Sequence, residues 1–129
     1  MKFAVQLNAS PYASTAGIDA YRFVLAAVEA GHQVLRVFFY QDGIYHAFRH
    51  ATPPDDEIQF SQDWSRLAEQ HHIDLVICIS AAQRRGLLCA DEAARQGKQD
   101  DDLAAGFRIA GLGLWLEASL QADRSIVFG

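Results

Sequence analysis

The sequence is poor in cysteine and in positive charge, and each shortage excludes a class of protein. Its 129 residues include only two cysteines, Cys78 and Cys89, whose spacing matches neither a disulfide framework nor a common zinc site. With 11 Lys and Arg against 16 Asp and Glu, the formal charge is −5. The chain therefore lacks the basic face with which proteins bind nucleic-acid phosphates.

Long apolar runs and nucleotide signatures are also missing. No apolar run approaches the roughly 20 residues that cross a bilayer, and residues 1–7 turn polar too quickly for a signal peptide. The loop at residues 8–16 has neither a Gly-x-Gly-x-x-Gly spacing nor the lysine of a phosphate-binding loop. We therefore expect a soluble cytoplasmic protein that contacts no membrane.

The chain does contain a regular alternation of strand-like and helix-like segments. Strands rich in β-formers are predicted at residues 2–7, 32–40, 73–79, 107–110 and 124–128. Helices are predicted at residues 16–30, 44–50, 60–72, 81–85, 87–96 and 114–122. This order predicts an α/β fold in which residues 1–129 form one domain. Its mostly parallel five-stranded sheet would be flanked by helices in three layers, as in flavodoxin-like and Rossmann-like folds.

The most informative stretch runs from Ile73 to Gly86. Its apolar start predicts a strand buried on both faces, Ser80 is a suitable N-cap for the following helix, and Gly86 is a suitable stop. Cys78 then lies near the carboxyl end of the strand, where open α/β sheets build their sites. The positive end of the next helix and two nearby arginines favour its nucleophilic thiolate form. The alternative is inert packing, because unpaired cysteines are commonly buried.

The five histidines give little support to a metal site. His46 and His50 are four residues apart, which on a helix would place both on one face. No carboxylate or third ligand matches that spacing. We therefore predict packed or exposed histidines and no metal.

Five blocks of sequence carry a family resemblance. They are MKFAV at residues 1–5, GH leading to VFFYQDGIY within 31–45, ICISAAQRRG at 77–86, FRIAGLG at 107–113 and EASLQADR at 117–124. In this order and at this spacing, the blocks resemble the DsrE family of intracellular sulfur-relay proteins, and in particular its TusD/DsrE-type subunits. The resemblance extends over nearly the whole chain.

The resemblance implies a sulfurtransferase that accepts sulfane sulfur on Cys78 as a persulfide and passes it to a small TusE- or DsrC-like carrier. It also implies two smaller paralogous subunits, of the TusB/TusC or DsrH/DsrF type, in a heterohexamer with two copies of each chain. No metal or organic cofactor is implied. Cys89 lies outside the family pattern, so it is either incidental or a thiol that resolves the persulfide.

A persulfide anion on this cysteine needs stabilising groups. Backbone N–H groups at the helix start after Ser80 are candidates, and Arg84 or Arg85 would add positive charge. The alternative for these arginines is that they are solvated or paired with carboxylates.

Other interpretations stay open. The relay would serve either thiolation of the tRNA wobble uridine or dissimilatory sulfur oxidation, and the stretches 82–85 and 107–111 favour sulfur oxidation. A subunit of another class would be a non-catalytic scaffold for paralogues, with Cys78 as packing. A flavodoxin-like binder of small ligands is disfavoured by the first loop, residues 8–16, which has few glycines.

Overall fold

The computed structural model describes residues 1–129 and contains a five-stranded parallel sheet flanked by helices. The strands are β1 (Lys2–Leu7), β2 (Gln33–Phe39), β3 (Asp74–Cys78), β4 (Phe107–Ala110) and β5 (Arg124–Phe128). The helices are α1 (Ala16–Glu29), α2 (Phe60–His71), α3 (Ile79–Arg84), α4 (Ala90–Arg95) and α5 (Gly113–Gln121), with a 3-10 helix at Gln41–Ala47. The predicted fold class is confirmed.

The order of the strands across the sheet is β4-β3-β2-β1-β5, and every neighbouring pair is parallel. The chain steps in one direction from β1 to β4 and then returns past β1 to place β5 at the far edge. Because crossovers between parallel strands are right-handed, this reversal puts α5 on the face opposite α1 and α2. We call the two sides the α1/α2 face and the α5 face.

Neighbouring side chains of β2 confirm that the two faces are distinct. Phe39 packs against Trp64 of α2, with 5.4 Å between the ring centroids. The preceding residue, Phe38, points to the other face and packs against Trp115 of α5 at 6.2 Å. Alternation along a strand requires this arrangement, so it fixes which side of the sheet each helix covers.

Glycines end two of the helices where the sequence predicts. Gly31 follows α1 with a φ of +87°, and Gly86 follows α3 with a φ of +81°. After α3, the N–H of Gly86 donates to the Gln83 carbonyl oxygen and the N–H of Leu87 donates to that of Ala82, which is a Schellman motif. The side chain of Leu87 is fully buried, so it anchors the chain as it leaves α3.

The short helix predicted at residues 44–50 is a 3-10 helix that begins and ends three residues earlier. Gly43 sets its position, because the backbone there lies so close to the carbonyl oxygen of Leu7 that a Cβ atom would overlap it. Phe48 then forms an antiparallel bridge with Leu103. Bridging to a distant loop keeps the backbone extended at this point, so the helix cannot continue to residue 50.

None of the helices in the fold is long and apolar enough to cross a bilayer.

Candidate functional site

The connections change face between β3 and β4. The chain leaves β3 through α3 on the α1/α2 side, as the right-handed crossover requires, whereas it leaves β4 through α5 on the other side. Open α/β sheets build their sites outside the carboxyl ends of their strands. The last paired residues at this edge are Cys78 of β3 and Ala110 of β4. Cys78 therefore lies at the edge of the sheet where folds of this class build their sites.

Cys78 is both the last residue of β3 and the N-cap of α3, with an extended backbone at φ −62° and ψ 123°. Its side chain is only 1 % exposed and belongs to the hydrophobic core. A thiol that exchanges sulfur with another protein needs access. In the isolated chain, Cys78 therefore lies at the predicted strand end, but the approach of another protein to its thiol is closed.

Ser80 does not cap α3, so this part of the prediction is wrong. The helix begins two residues earlier than predicted, at Ile79, and Ser80 is its exposed second residue. An N-cap residue has non-helical backbone angles, a condition that Cys78 meets. The early start allows Ala81 and Ala82 to pack into the core, which explains why the helix forms without a side-chain cap.

The two arginines of α3 have different surroundings. Arg85 donates to Asp42 Oδ1 through Nε (3.0 Å) and to the Ala81 carbonyl oxygen through Nη1 (3.1 Å), and its Nη2 lies 2.9 Å from the same carboxylate oxygen. Its charge is therefore countered by a carboxylate, and it ties α3 to the 3-10 helix. Arg84 is exposed and forms no ion pair. Of the two candidates for persulfide stabilisation, only Arg84 has an uncommitted guanidinium group.

Cys89 differs from Cys78 in exposure. It is the N-cap of the short helix α4, its side chain is exposed, and both cysteines are free thiols. Cys89 lies in a connection rather than at a strand end. It therefore provides an accessible reference thiol within the same chain.

Sequence reasoning missed a charged network around Asp74. Arg36 Nε donates to Oδ2 of Asp74 at 2.6 Å, and Arg108 donates to both carboxylate oxygens at 2.8 Å. Arg108 and, to a smaller extent, Arg36 hold the pKa of Asp74 below its ordinary value. Arg36 Nη1 also donates to the carbonyl oxygen of Leu114 at 2.7 Å. The network thus joins three strands to α5, and its only sequence signal is one aspartate in an otherwise apolar strand.

His46 is a structural residue and not a metal ligand. Trp64 Nε1 donates to its Nδ1 at 3.3 Å, so Nε2 carries the proton and donates to the carbonyl oxygen of Ala9 at 3.2 Å. Burial lowers the pKa of His46 to about 3. Both ring nitrogens are used, His50 is exposed on the following segment, and no group of three potential ligands converges anywhere in the chain.

Two cavities lie away from Cys78. One of about 800 Å³ is formed between α2 and residues 104–106. The other, of about 700 Å³, has aromatic walls made by Tyr12, Tyr45 and Phe48. Cys78 lines neither of them.

Comparison with known sequences identifies relatives over the full length of the chain. The DsrE/DsrF-like family matches residues 1–128. DsrE of Allochromatium vinosum, a protein assigned as a sulfurtransferase, is 49% identical over 129 residues, which cover 100% of this chain and 99% of that protein. Sulfurtransferase TusD homologues are 43% identical in Pseudomonas aeruginosa (100% and 98% covered) and 39% identical in Vibrio vulnificus (99% and 98%).

Comparison of structures gives the same fold. The YchN protein of E. coli aligns with a TM-score of 0.80 over 99% of both chains, at 19% sequence identity. The sequence matches confirm the predicted resemblance and the sulfurtransferase class predicted with it. The chain belongs to the DsrE/DsrF-like family.

Proposed function

We propose that this chain accepts sulfane sulfur as a persulfide on Cys78 and passes it to a small TusE- or DsrC-like carrier protein. The observation that carries the proposal is the position of Cys78 at the carboxyl end of β3, directly before α3. Residues 1–129 would act as one domain in the cytoplasm. No metal or organic cofactor takes part in the proposed transfer.

The transfer consists of two thiol exchanges. The Cys78 thiolate attacks the outer sulfur of a donor persulfide, a new S–S bond forms, and the donor leaves as a thiolate. The acceptor thiolate then attacks the outer sulfur on Cys78 and releases the Cys78 thiolate. The sulfur atom keeps its oxidation state and no external electrons are needed. The first N–H groups of α3, near Ser80, and the free guanidinium of Arg84 are the proposed stabilising groups, and Arg85 contributes less because it is paired with Asp42.

The proposed assembly contains two smaller paralogous chains, of the TusB/TusC or DsrH/DsrF type, in a heterohexamer. Its support in this chain is an apolar stripe on the outer side of α5, made by Leu112, Leu116 and Leu120. These residues are four apart, so they lie on one helix face, and they are 52%, 60% and 78% exposed. Contiguous exposed apolar surface of this kind marks protein–protein contacts.

The proposed pathway is dissimilatory sulfur oxidation, with tRNA thiolation as the second candidate. Identity to DsrE of Allochromatium vinosum is 49%, against 39–43% for the TusD homologues. The acceptor decides between them: a DsrC-like carrier that takes the sulfur faster than a TusE-like carrier supports sulfur oxidation, and the reverse supports tRNA thiolation.

A non-catalytic scaffold is the rival function, and the burial of Cys78 in the core favours it. Incubating the assembled complex with a persulfide donor, alkylating it and mapping its peptides by mass separates the two. The relay requires an added sulfur atom at Cys78 that is absent in Cys78→Ser and retained in the matched control Cys89→Ser. An unmodified Cys78 in the complete complex would contradict the relay and support the scaffold function.

A further inference from the structure

The segment from Gly111 to Leu114 crosses over the end of β3. It begins next to Ala110, which pairs with Cys78. It is followed directly by Trp115, whose ring packs against Phe38 of β2. Since β3 lies between β4 and β2 in the sheet, the segment passes above β3 on the α5 face.

Cys78 points toward the face that this segment covers. Side chains alternate along a strand, so Cys78 lies on the same side as Asp74, four residues earlier. Asp74 binds Arg36, and Arg36 in turn binds α5 through the Leu114 carbonyl oxygen. Residues 111–114, which we call the cover, therefore lie on the same side of the sheet as the side chain of Cys78, which is 1 % exposed.

The cover is held to the sheet by the half-buried side chain of Leu114, which packs against the core, and by polar contacts of Arg36. Gly111 and Gly113 have no positive φ, and a Cβ atom at either position would meet nothing within 4 Å. Neither turn geometry nor close packing therefore requires glycine, and the two residues leave the backbone free to bend at both ends. The polar tether is Arg36, whose Nη1 donates to the Leu114 carbonyl oxygen at 2.7 Å and lies 3.6 Å from Glu117 Oε1 of α5. Asp74 fixes this arginine in place, and its side chain is only 13% exposed.

We propose that Arg36 is a positioning residue that sets how often the Cys78 thiol becomes accessible, by holding residues 111–114 over β3. The inference rests on the proposed role of Cys78 in sulfur transfer. Bending at Gly111 and Gly113 lifts the segment and opens the thiol to the donor or acceptor. The exposed side chain of Leu112 gives a docked protein a direct contact with the moving segment.

Arg108 supplies a matched control for Arg36. Both arginines bind Asp74, but only Arg36 has a hydrogen bond to α5. Arg36→Gln removes the tether and leaves Asp74 paired with Arg108, whereas Arg108→Gln removes an ion pair and leaves the tether. If Arg36 contributed to stability alone, the two variants would change the accessibility of Cys78 to the same extent.

The test measures the rate at which iodoacetamide alkylates Cys78 in the full chain under native conditions, with Cys89 as the internal reference and peptide masses separating the two thiols. We expect Arg36→Gln to raise the rate at Cys78 about tenfold, the scale of one lost charge-assisted hydrogen bond. Arg108→Gln should change it less than about twofold, and the rate at Cys89 should stay constant. Low urea should leave the Cys78 rate unchanged, because a local opening exposes little surface.

Equal acceleration in both arginine variants, or in neither, would overturn the proposal, as would a Cys78 rate that rises with urea in step with global unfolding. Gly111→Ala with Gly113→Ala gives a second measurement that does not depend on the charged network. This double variant should slow alkylation of Cys78 several-fold, and an unchanged rate would contradict the bending step. Alkylation requires no persulfide, so a failure here is separate from a failure of the sulfur relay.

Discussion

The two faces of the sheet differ in how completely helices cover them. On the α1/α2 face, two long helices bury a continuous core that includes Trp64 and His46. On the other face, α5 lies alone and buries only Ala118, with its leucine stripe turned to solvent. Burial of apolar surface is the main source of stability. We infer that the first face stabilises the fold and that the second, which is less completely covered, is the side where the closed approach to Cys78 opens and where partner chains dock.

The largest difference is expected between the two tryptophans. Trp64→Ala removes a fully buried ring and should lower the free energy of unfolding by about 3–5 kcal/mol. Trp115→Ala removes a partly buried ring on the α5 face and should cost about 1–2 kcal/mol. Urea titrations of both variants measure these losses. Equal losses would show that the two faces contribute alike.

The same substitution at two glycines, one on each side of this division, should change stability with opposite signs. Gly43→Ala forces a Cβ atom into the Leu7 carbonyl oxygen and should destabilise the chain by about 3 kcal/mol. Gly111→Ala adds a Cβ atom in open space and should stabilise by about 0.5 kcal/mol, because it restricts the unfolded chain. Thermal melts should move in opposite directions, and a lower melting temperature for Gly111→Ala would mean that the cover above β3 is packed more tightly than its geometry indicates.

As the pH falls, the α1/α2 face should lose stability first, because unfolding lets the buried His46 bind a proton. Burial lowers the pKa of His46 from 6.5 to about 3, so between these values the unfolded chain binds a proton that the folded chain does not. Stability is therefore full above about pH 6.5 and falls as the pH drops toward 3, by about 1.4 kcal/mol per pH unit. His46→Gln keeps the hydrogen-bonding groups without the titration. An unchanged pH slope in urea titrations of this variant would contradict the assignment.

Asp74 on the α5 face should respond only at lower pH. Arg108 and Arg36 hold the pKa of Asp74 below its ordinary 3.8, so its contribution is present above that value and is lost as the pH falls through the lower, folded value. The carboxylate is partly exposed, so the effect is smaller than that of His46. Comparing Asp74→Asn with the unchanged chain at pH 3 and pH 5 measures it, and a difference that is larger at pH 3 would have the wrong sign.

The smallest effect on stability is expected for the leucine stripe. Leu116→Lys replaces an exposed side chain and should change the free energy of unfolding by less than about 0.5 kcal/mol. The same change should prevent assembly with the paralogous chains, because a charge would enter an apolar contact. Size-exclusion chromatography of the co-expressed subunits measures this, and a complex of normal size would remove α5 from the proposed interface.

Local patterns were enough to predict the architecture. The strands at residues 2–7, 107–110 and 124–128 have the predicted bounds, because β-rich runs between turns specify them without help from the rest of the chain. Gly31 and Gly86 end their helices as predicted because a positive φ is a local requirement.

The features of the site that were missed depend on distant residues. Arg36 and Asp74 are 38 positions apart, and no local pattern pairs them. The segment proposed to cover Cys78, residues 111–114, likewise lies more than 30 residues later in the chain. The false cap at Ser80 arose because its residue type suits an N-cap, whereas core packing of Ala81 and Ala82 decided where α3 begins.

The most direct test of the account is a single-turnover transfer of isotopically labelled sulfur through the assembled complex. A persulfide donor carries the label, a DsrC-like carrier is the acceptor, and samples are alkylated and mapped at successive times. If Cys78 relays the sulfur, the label appears on Cys78 first and decays from it as the carrier gains it. Label that reaches the carrier at the normal rate without ever residing on Cys78, or that does so in Cys78→Ser, would contradict it.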